Sequence, residues 1–404
     1  MWRVVGMAAM GIGVLLVTLA IWGVIIEPRL IDVRRETAAL PGLPSAWEGR
    51  QVALLADLQI GMWMANTGTA RRIVARLVAQ PPAAVFIAGD FLYEDSDDLA
   101  ADIDEAVAIV RPLPAAGIPT FAVLGNHDYS IVAKSDPPHP AMAEHLRNAL
   151  ERAGVRVLEN AAVRIPEPLA TRQSGDSRET ALYVVGIGSN WADTDQPTRA
   201  INAVPNGVPY LVLMHNPRSF VDIGPGLAPV ALAAHTHGGQ IRLPFAPDWT
   251  WLTFVRDDPV HADGWTHGGF GAPGNRLYVN RGIGFSYVPV RINCRPELTF
   301  LTLHRADRPV PYAHAARTQS ARILISNDVA FTQGLAAFGV LVCVQYAATW
   351  LQMRSRRVRS RQEQPSVAVL QWTISRRRAR PRARHGGMRF VPLHEVTASH
   401  RSAT

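Results

Sequence analysis

The chain has 404 residues, of which 48% are hydrophobic and 18% charged, with a formal charge of +8. This is enough for one large domain or two smaller ones, and too apolar for a disordered chain. Residues 351–404 hold 13 Arg against Glu363 and Glu395, a local +11, so the rest carries about −3 and has no obvious nucleic-acid footprint.

Val4 to Ile26 is a run of 23 residues without a charge. It is long enough to span a bilayer, with Trp2 and Trp22 near the ends where indole rings favour the interface. We read residues 1–28 as a transmembrane anchor rather than a cleaved signal peptide, because no small-x-small site precedes a polar run. Residues 29–49, with Pro41, Gly42 and Pro44, read as a linker, and a domain is expected over 50–306.

That domain opens as alternating strand and helix: strands at 51–56, 84–88 and 120–124, helices at 69–80, 97–110 and 140–153. Strands follow at 155–160, 161–165, 181–187, 210–214, 230–234, 276–280 and 297–303. Residues 165–180 read as an exposed hairpin or loop. The irregular stretch 240–274 reads as a substrate-contacting loop, with Phe245, Trp249, Trp251, Leu252 and Phe254 able to admit an acyl chain or simply to cover the sheet.

Residues 307–353 read as a linker and an apolar helix, a candidate second transmembrane segment over 329–353. The Arg-rich stretch 354–404 is expected to be disordered. One span or two stand open. So does the side of the membrane: charges flanking the first span favour a cytoplasmic domain, whereas a second span ending at RSRRVRSR favours the other face. Cys294 and Cys343 are the only cysteines, which excludes a disulfide framework and a thiolate metal site.

Five polar clusters each follow an apolar stretch: Asp57-Leu58-Gln59, Gly89-Asp90, Gly125-Asn126-His127-Asp128, His215-Asn216-Pro217 and His235-Thr236-His237-Gly238-Gly239. They place oxygen and imidazole donors at the carboxyl ends of buried strands, where open α/β sheets put their chemistry. Asp57 and Asp90 are charged oxygen donors, and a carboxylate can bridge two divalent ions. His235 and His237, two apart in an extended segment, point to one side. Asn126 adds a neutral oxygen. Mixed nitrogen and oxygen donors suit two divalent ions such as Mn²⁺, Zn²⁺ or Fe²⁺.

This pattern resembles the calcineurin-like metallophosphoesterase superfamily, especially its membrane-associated bacterial branch. The family order is Asp-x-His, Gly-Asp, Gly-Asn-His-Asp, a lone His, then Gly-His-x-His. The resemblance implies an α/β fold, a four-layer α/β/β/α sandwich. It implies Asp57 and His237 as ligands of a first metal, Asp90 as the bridge, and Asn126, His215 and His235 as ligands of a second. It makes His127, a non-ligand histidine, and Asp128 beside it the catalytic residues, and it places Arg281 and Gly282 at the border of the site. Two positions depart from the pattern. Gln59 stands where the family has His, a weaker donor, and Ala234 stands for the Gly before the last histidine pair.

The function so implied is binuclear metal-dependent hydrolysis of a phosphoester or pyrophosphate. Two close cations acidify water and neutralise phosphate oxygens as charge develops. With the anchor, the expected substrate is lipid-linked and the expected location the membrane; no nucleic-acid partner is expected. The runner-up, motivated by Gln59, is a membrane-tethered metal-binding or scaffold module without catalysis.

Overall fold

The computed structural model describes residues 2–167, 181–243, 246–250, 252, 261–266 and 269–306. The second apolar segment at 329–353, the tail at 354–404, most of 165–180 and the loop residues Phe245, Trp251 and Phe254 lie outside the described residues.

The chain begins with α1 (Trp2–Ile21), which continues through a wider turn at Trp22–Ile26 and a tighter one at Glu27–Arg29. Residues Met10–Arg29 form a helical stretch long and apolar enough to cross a bilayer. Next comes β1 (Asp32–Pro41), which corrects the expected linker at 29–49. It runs parallel to the last strand, from Asp32 opposite Glu297 to Pro41 opposite Ala306. β1 escaped notice because it is an edge strand. Its charges at Arg34, Arg35 and Glu36 interrupt the apolar alternation, as edge strands commonly do.

The elements that follow are β2 (Gln51–Leu55), α2 (Thr67–Ala79), β3 (Ala84–Ile87), α3 (Leu99–Val110), α4 (Pro112–Ala115), β4 (Thr120–Ala122), α5 (Pro140–Arg152) and β5 (Arg156–Val157). The second half contains β6 (Ala161–Ile165), β7 (Leu182–Gly186), α6 (Pro197–Asn202), β8 (Tyr210–Leu213), β9 (Ala231–Ala233), β10 (Arg242–Leu243), β11 (Ala246–Thr250), β12 (Gly264–Trp265), β13 (Leu277–Val279) and β14 (Glu297–Ala306). Trp249 thus lies in β11 and Leu252 just beyond it.

Two six-stranded sheets result, ordered β1-β14-β2-β3-β4-β5 and β12-β13-β9-β8-β7-β6. Strand periodicity explains their stacking. Ala53 and Leu55 of β2 face one apolar cluster with Ile73, Leu77, Ile109 and Leu146 from the helices. Val52 and Leu54 face a second cluster, shared with Leu182, Leu211 and Leu213 of the other sheet. Val212 of β8 and Met214 just beyond it turn to a third cluster with Ala200, Ile201 and Phe220. Three apolar layers between helices, sheet, sheet and helices make an α/β sandwich of four layers. Strands buried on both faces read as continuous apolar runs, which makes them legible in the sequence.

The helices obey the same logic. α2 buries Ala70, Ile73, Val74 and Leu77, and α5 buries Met142, Leu146, Ala149 and Leu150, each at helical spacing. Parallel β2, β3 and β4 end their strands on one edge, as do parallel β7, β8 and β9 in the partner sheet. The five polar clusters leave the sheets at those edges.

Candidate metal centre

The loops after β2, β3, β4, β8 and β9 converge. Asp57, Gln59, Asp90, Asn126 and His215 are buried, as is His237, and His235 is half-buried. Donor atoms of Asp90, His215 and His235 lie within 4.8 Å of one another, and so do those of Asp57, Asp90 and His237. The two groups share Asp90, so the protein holds two adjoining cation sites around one carboxylate.

Backbone strain accompanies this convergence. Asp57, Gln59, Asp90, His235 and His237 all have φ between 50° and 74°, a left-handed conformation that costs a non-glycine residue roughly 1–2 kcal/mol. It turns each side chain off the strand axis into the space between the sheets. The close quarters leave no room for larger neighbours. A Cβ on Gly125 would lie 2.0 Å from Asp90 Oδ1, and one on Gly282 would lie 2.2 Å from Asp57 Oδ2.

The His215 imidazole is oriented by a partner on its far side. The His215 Nδ1–H donates to the Ala88 carbonyl at 2.6 Å, leaving Nε2 3.2 Å from Asp90 Oδ2 and 3.1 Å from Asn126 Oδ1. Asn126 Nδ2 donates to the Ile131 carbonyl at 2.8 Å, which aims its oxygen inward. The His235 ring sits edge-on to both His215 and Trp191. Such orientation fixes the tautomer and the donor direction of a ligand.

His127 sits beside these groups without joining either donor set. Its Nδ1–H donates to the Tyr93 carbonyl at 2.5 Å and its ring stacks on the Tyr93 ring. Its backbone N–H donates to Asp90 Oδ1 at 3.0 Å. Nε2 is thereby left as the ring nitrogen not engaged by the Tyr93 carbonyl.

Asp128 differs from expectation. Its Oδ2 accepts from the Asp90 and Gly125 backbone N–H at 2.9 and 2.8 Å, and its Oδ1 from that of Leu92 at 3.0 Å. Both oxygens are engaged by backbone amides rather than by the His127 ring. Through these bonds Asp128 ties its own turn to the loop that carries Asp90. Arg281 also departs: its guanidinium turns to Glu297 and Asp32, and only Gly282 abuts Asp57.

The charges are arranged for cations. Burial pushes the Asp57 carboxyl up to about 8, against the pull of His215. Burial also acts to raise Asp90, but His215 and His127 outweigh it and hold that carboxyl well below the usual range. Burial lowers His215, yet Asp90 overrides it and raises the imidazole to about 9. Burial depresses His237 well below its ordinary value. Burial, reinforced by Asp90, pushes Asp128 up to about 7.

The donor set fits divalent ions on an independent observation. Among the described residues, the buried side-chain atoms with no hydrogen-bond partner include Asp57 Oδ2, Gln59 Oε1 and His237 Nδ1. Buried polar atoms are normally paired, and three orphans on residues of one donor group are what a cation would satisfy. Gln59 Nε2 donates to Asp90 Oδ2 at 2.9 Å and lies 3.4 Å from His237 Nε2, so the amide is in place for the first site. A half-turn would exchange its oxygen for its nitrogen at no steric cost.

Sequence reasoning missed Tyr93 and Trp191, which carry no motif. It also missed Arg291, buried beneath Asp57 with its guanidinium donating to the carbonyls of Gly284, Arg281 and Cys294. Only the fold reveals such neighbours.

Comparison with known proteins adds family context. A family model described as calcineurin-like phosphoesterase matches residues 50–239. The phosphodiesterase YaeI of Escherichia coli is 34% identical over 238 residues, covering 57% of this chain and 73% of that protein. The metallophosphoesterase YkoQ of Bacillus subtilis is 27% identical over 55% of this chain and 72% of its own length. The UDP-2,3-diacylglucosamine pyrophosphatase LpxG of Chlamydia trachomatis is 24% identical over 70% of this chain and 92% of its own.

Proposed function

Because the chain belongs to the calcineurin-like phosphoesterase family, we propose that this metal-dependent phosphoesterase hydrolyses a phosphoester or pyrophosphate bond of a lipid-linked substrate at a membrane. The observation that carries the reaction class is the pair of buried donor groups sharing Asp90. In this reading Asp57, Gln59, Asp90 and His237 hold one ion, and Asp90, Asn126, His215 and His235 hold the other. The ions are Mn²⁺, Zn²⁺ or Fe²⁺, which accept mixed nitrogen and oxygen donors. Bound there, they supply Lewis acidity to phosphoryl oxygens and acidify water.

The side chains do the rest. His127 presents Nε2 as the proton-transferring nitrogen at the leaving oxygen, with the Tyr93 carbonyl holding the ring in place through Nδ1–H. Asp128 keeps the Asp90 and Gly125 backbones in register. Burial excludes bulk water, so each charge acts at full strength.

The lipid-linked substrate is supported by two observations. Met10–Arg29 reads as a single-pass anchor, which would raise the effective concentration of anything embedded in the same bilayer. The relative LpxG is named for a diacylated nucleotide sugar. The test is turnover by the full chain on detergent-dispersed lipid phosphates against their soluble headgroup analogues, including a diacylated nucleotide sugar. Higher kcat/KM on the lipid forms is expected; preference for the soluble analogues would contradict the lipid reading and leave the reaction class standing.

A further inference from the structure

The loop that follows Gln59 carries an unexpected surface. Trp63 is 71% exposed and Met64 38% exposed, side by side on the segment 61–66. Indole and thioether groups in water cost free energy, and a paired apolar display of this kind marks an interaction site. From the same segment, Met62 joins Tyr93 and Phe285 in a small apolar cluster, with Ala65 packed against it. Tyr93 is the residue that stacks on His127, and the Gly284 N–H donates to the Asp57 carbonyl at 2.6 Å. The cluster is therefore the rim of the metal centre.

Both rim segments are fastened to the end of the apolar helix. Asn66 Nδ2 donates to the Pro28 carbonyl at 2.7 Å, and Thr69 Oγ1 donates to it at 3.1 Å. Arg72 donates to the Arg29 carbonyl at 2.7 Å. On the other side, the Arg291 N–H donates to the Gly23 carbonyl at 2.9 Å, and the Cys294 N–H donates to Glu27 Oε1 at 2.5 Å. Glu27 is only 2% exposed, and its other oxygen accepts from Trp22 Nε1 at 2.6 Å. The helix does not end in a loose tether. It is locked to segments 66–72 and 291–294, which extend the two rim segments.

We propose that Trp63 and Met64 enter the interfacial region of the bilayer beside the anchor, so that the rim of the metal centre faces the lipid headgroups. The occupant of this apolar surface is the membrane that the helix crosses, a reading that rests on the anchor assigned above. Continuity decides it: the exposed pair lies on the segment whose Asn66 donates to the Pro28 carbonyl, at the domain end of the apolar stretch Met10–Arg29. Trp prefers this depth because its ring is apolar and its N–H polar. The exposed Arg29 and Arg72 at the same junction suit lipid phosphates. The metal centre would then draw its substrate headgroup from the bilayer surface rather than from bulk water.

The test uses the full chain in vesicles of phosphatidylethanolamine and phosphatidylglycerol. Trp63→Cys and Met64→Cys, each in a Cys343→Ser background with Cys294 buried, carry a nitroxide. Ser45→Cys, exposed just before β2 at the opposite strand ends, is the aqueous reference. Collision rates with oxygen and with a water-soluble nickel chelate report depth. We expect labels at 63 and 64 to be sheltered from nickel and accessible to oxygen, and the label at 45 the reverse. Equal nickel access at all three positions in protein that floats with the vesicles would overturn the proposal while leaving the anchor intact. Protein that does not float would overturn the anchor and this inference together. Dipolar broadening between labels at position 63 would assign the surface to a second copy and also overturn it.

Discussion

Replacing Asp128 should cost stability first and activity only as a consequence. Its carboxylate accepts three backbone N–H groups, from Asp90, Leu92 and Gly125, at 2.8–3.0 Å, and the residue is fully buried. In Asp128→Ala all three donors lose their partner, at about 1–3 kcal/mol for each buried group, or on the order of 3–9 kcal/mol in all. In Asp128→Asn one oxygen can still serve Asp90 and Gly125, but an NH₂ then faces the Leu92 N–H. Loss of one bond and weakening of two charge-assisted ones gives about 3 kcal/mol. For a domain of this size that is a drop in Tm of roughly 6–12 °C. The assay is calorimetry of metal-loaded protein, with metal content measured on the same samples. Asp128→Asn should melt early and retain less metal, because the Asp90 loop is released. If it melts with the wild type, holds its metal and still loses turnover as His127→Ala does, Asp128 acts on the chemistry and the positioning role is wrong.

Three other outcomes follow from the same geometry. His127→Ala should keep both metals and the wild-type Tm while turnover of bis-p-nitrophenyl phosphate falls about 10²–10⁴-fold, the usual worth of a proton-transferring group; loss of metal alongside rate would make it a ligand. Gln59→His should slow metal loss to a chelator, since imidazole is a better donor than an amide oxygen, and unchanged retention would remove Gln59 from the donor set. Asp57 and His215 hold protons up to about 8 and about 9, which an entering cation must displace. Apparent Mn²⁺ affinity should therefore rise with pH through neutrality up to that window and level off above it, with proton release on binding seen by calorimetry in buffers of different ionisation enthalpy; a pH-independent affinity would contradict the assignment.

Much of the centre was legible in the sequence because its donors sit in short clusters behind apolar runs. Strands such as β3 and β8, buried on both faces, leave uninterrupted hydrophobic stretches, and the turn after each must carry the polar chemistry. That logic found Asp57, Asp90, Asn126, His215, His235 and His237, the family resemblance added Gln59 and His127, and the fold brings these residues together. It failed where contacts are long-range. β1 is recognised only through β14, about 265 residues away in sequence. Asp128 looked like a partner for its neighbour His127, yet adjacent residues in a tight turn point apart, and its bonds run to loops of another strand. Glu27 read as the end of an apolar run; its burial against Cys294 depends on a segment 267 residues downstream. Arg281 read only as a residue at the border of the site; its ion pairs with Glu297, Asp32 and Asp263 depend on segments far away in sequence.

Asp90 is the carboxylate common to both donor groups, so its removal tests the binuclear account most directly. Wild-type full chain and Asp90→Ala, both loaded with Mn²⁺ and checked for folding, should be compared for bound metal and for bis-p-nitrophenyl phosphate hydrolysis. The account predicts two tightly held ions and turnover in the wild type, and loss of metal together with nearly all activity in the variant. Turnover by metal-stripped wild type, or a variant that keeps both ions and its rate, would contradict it.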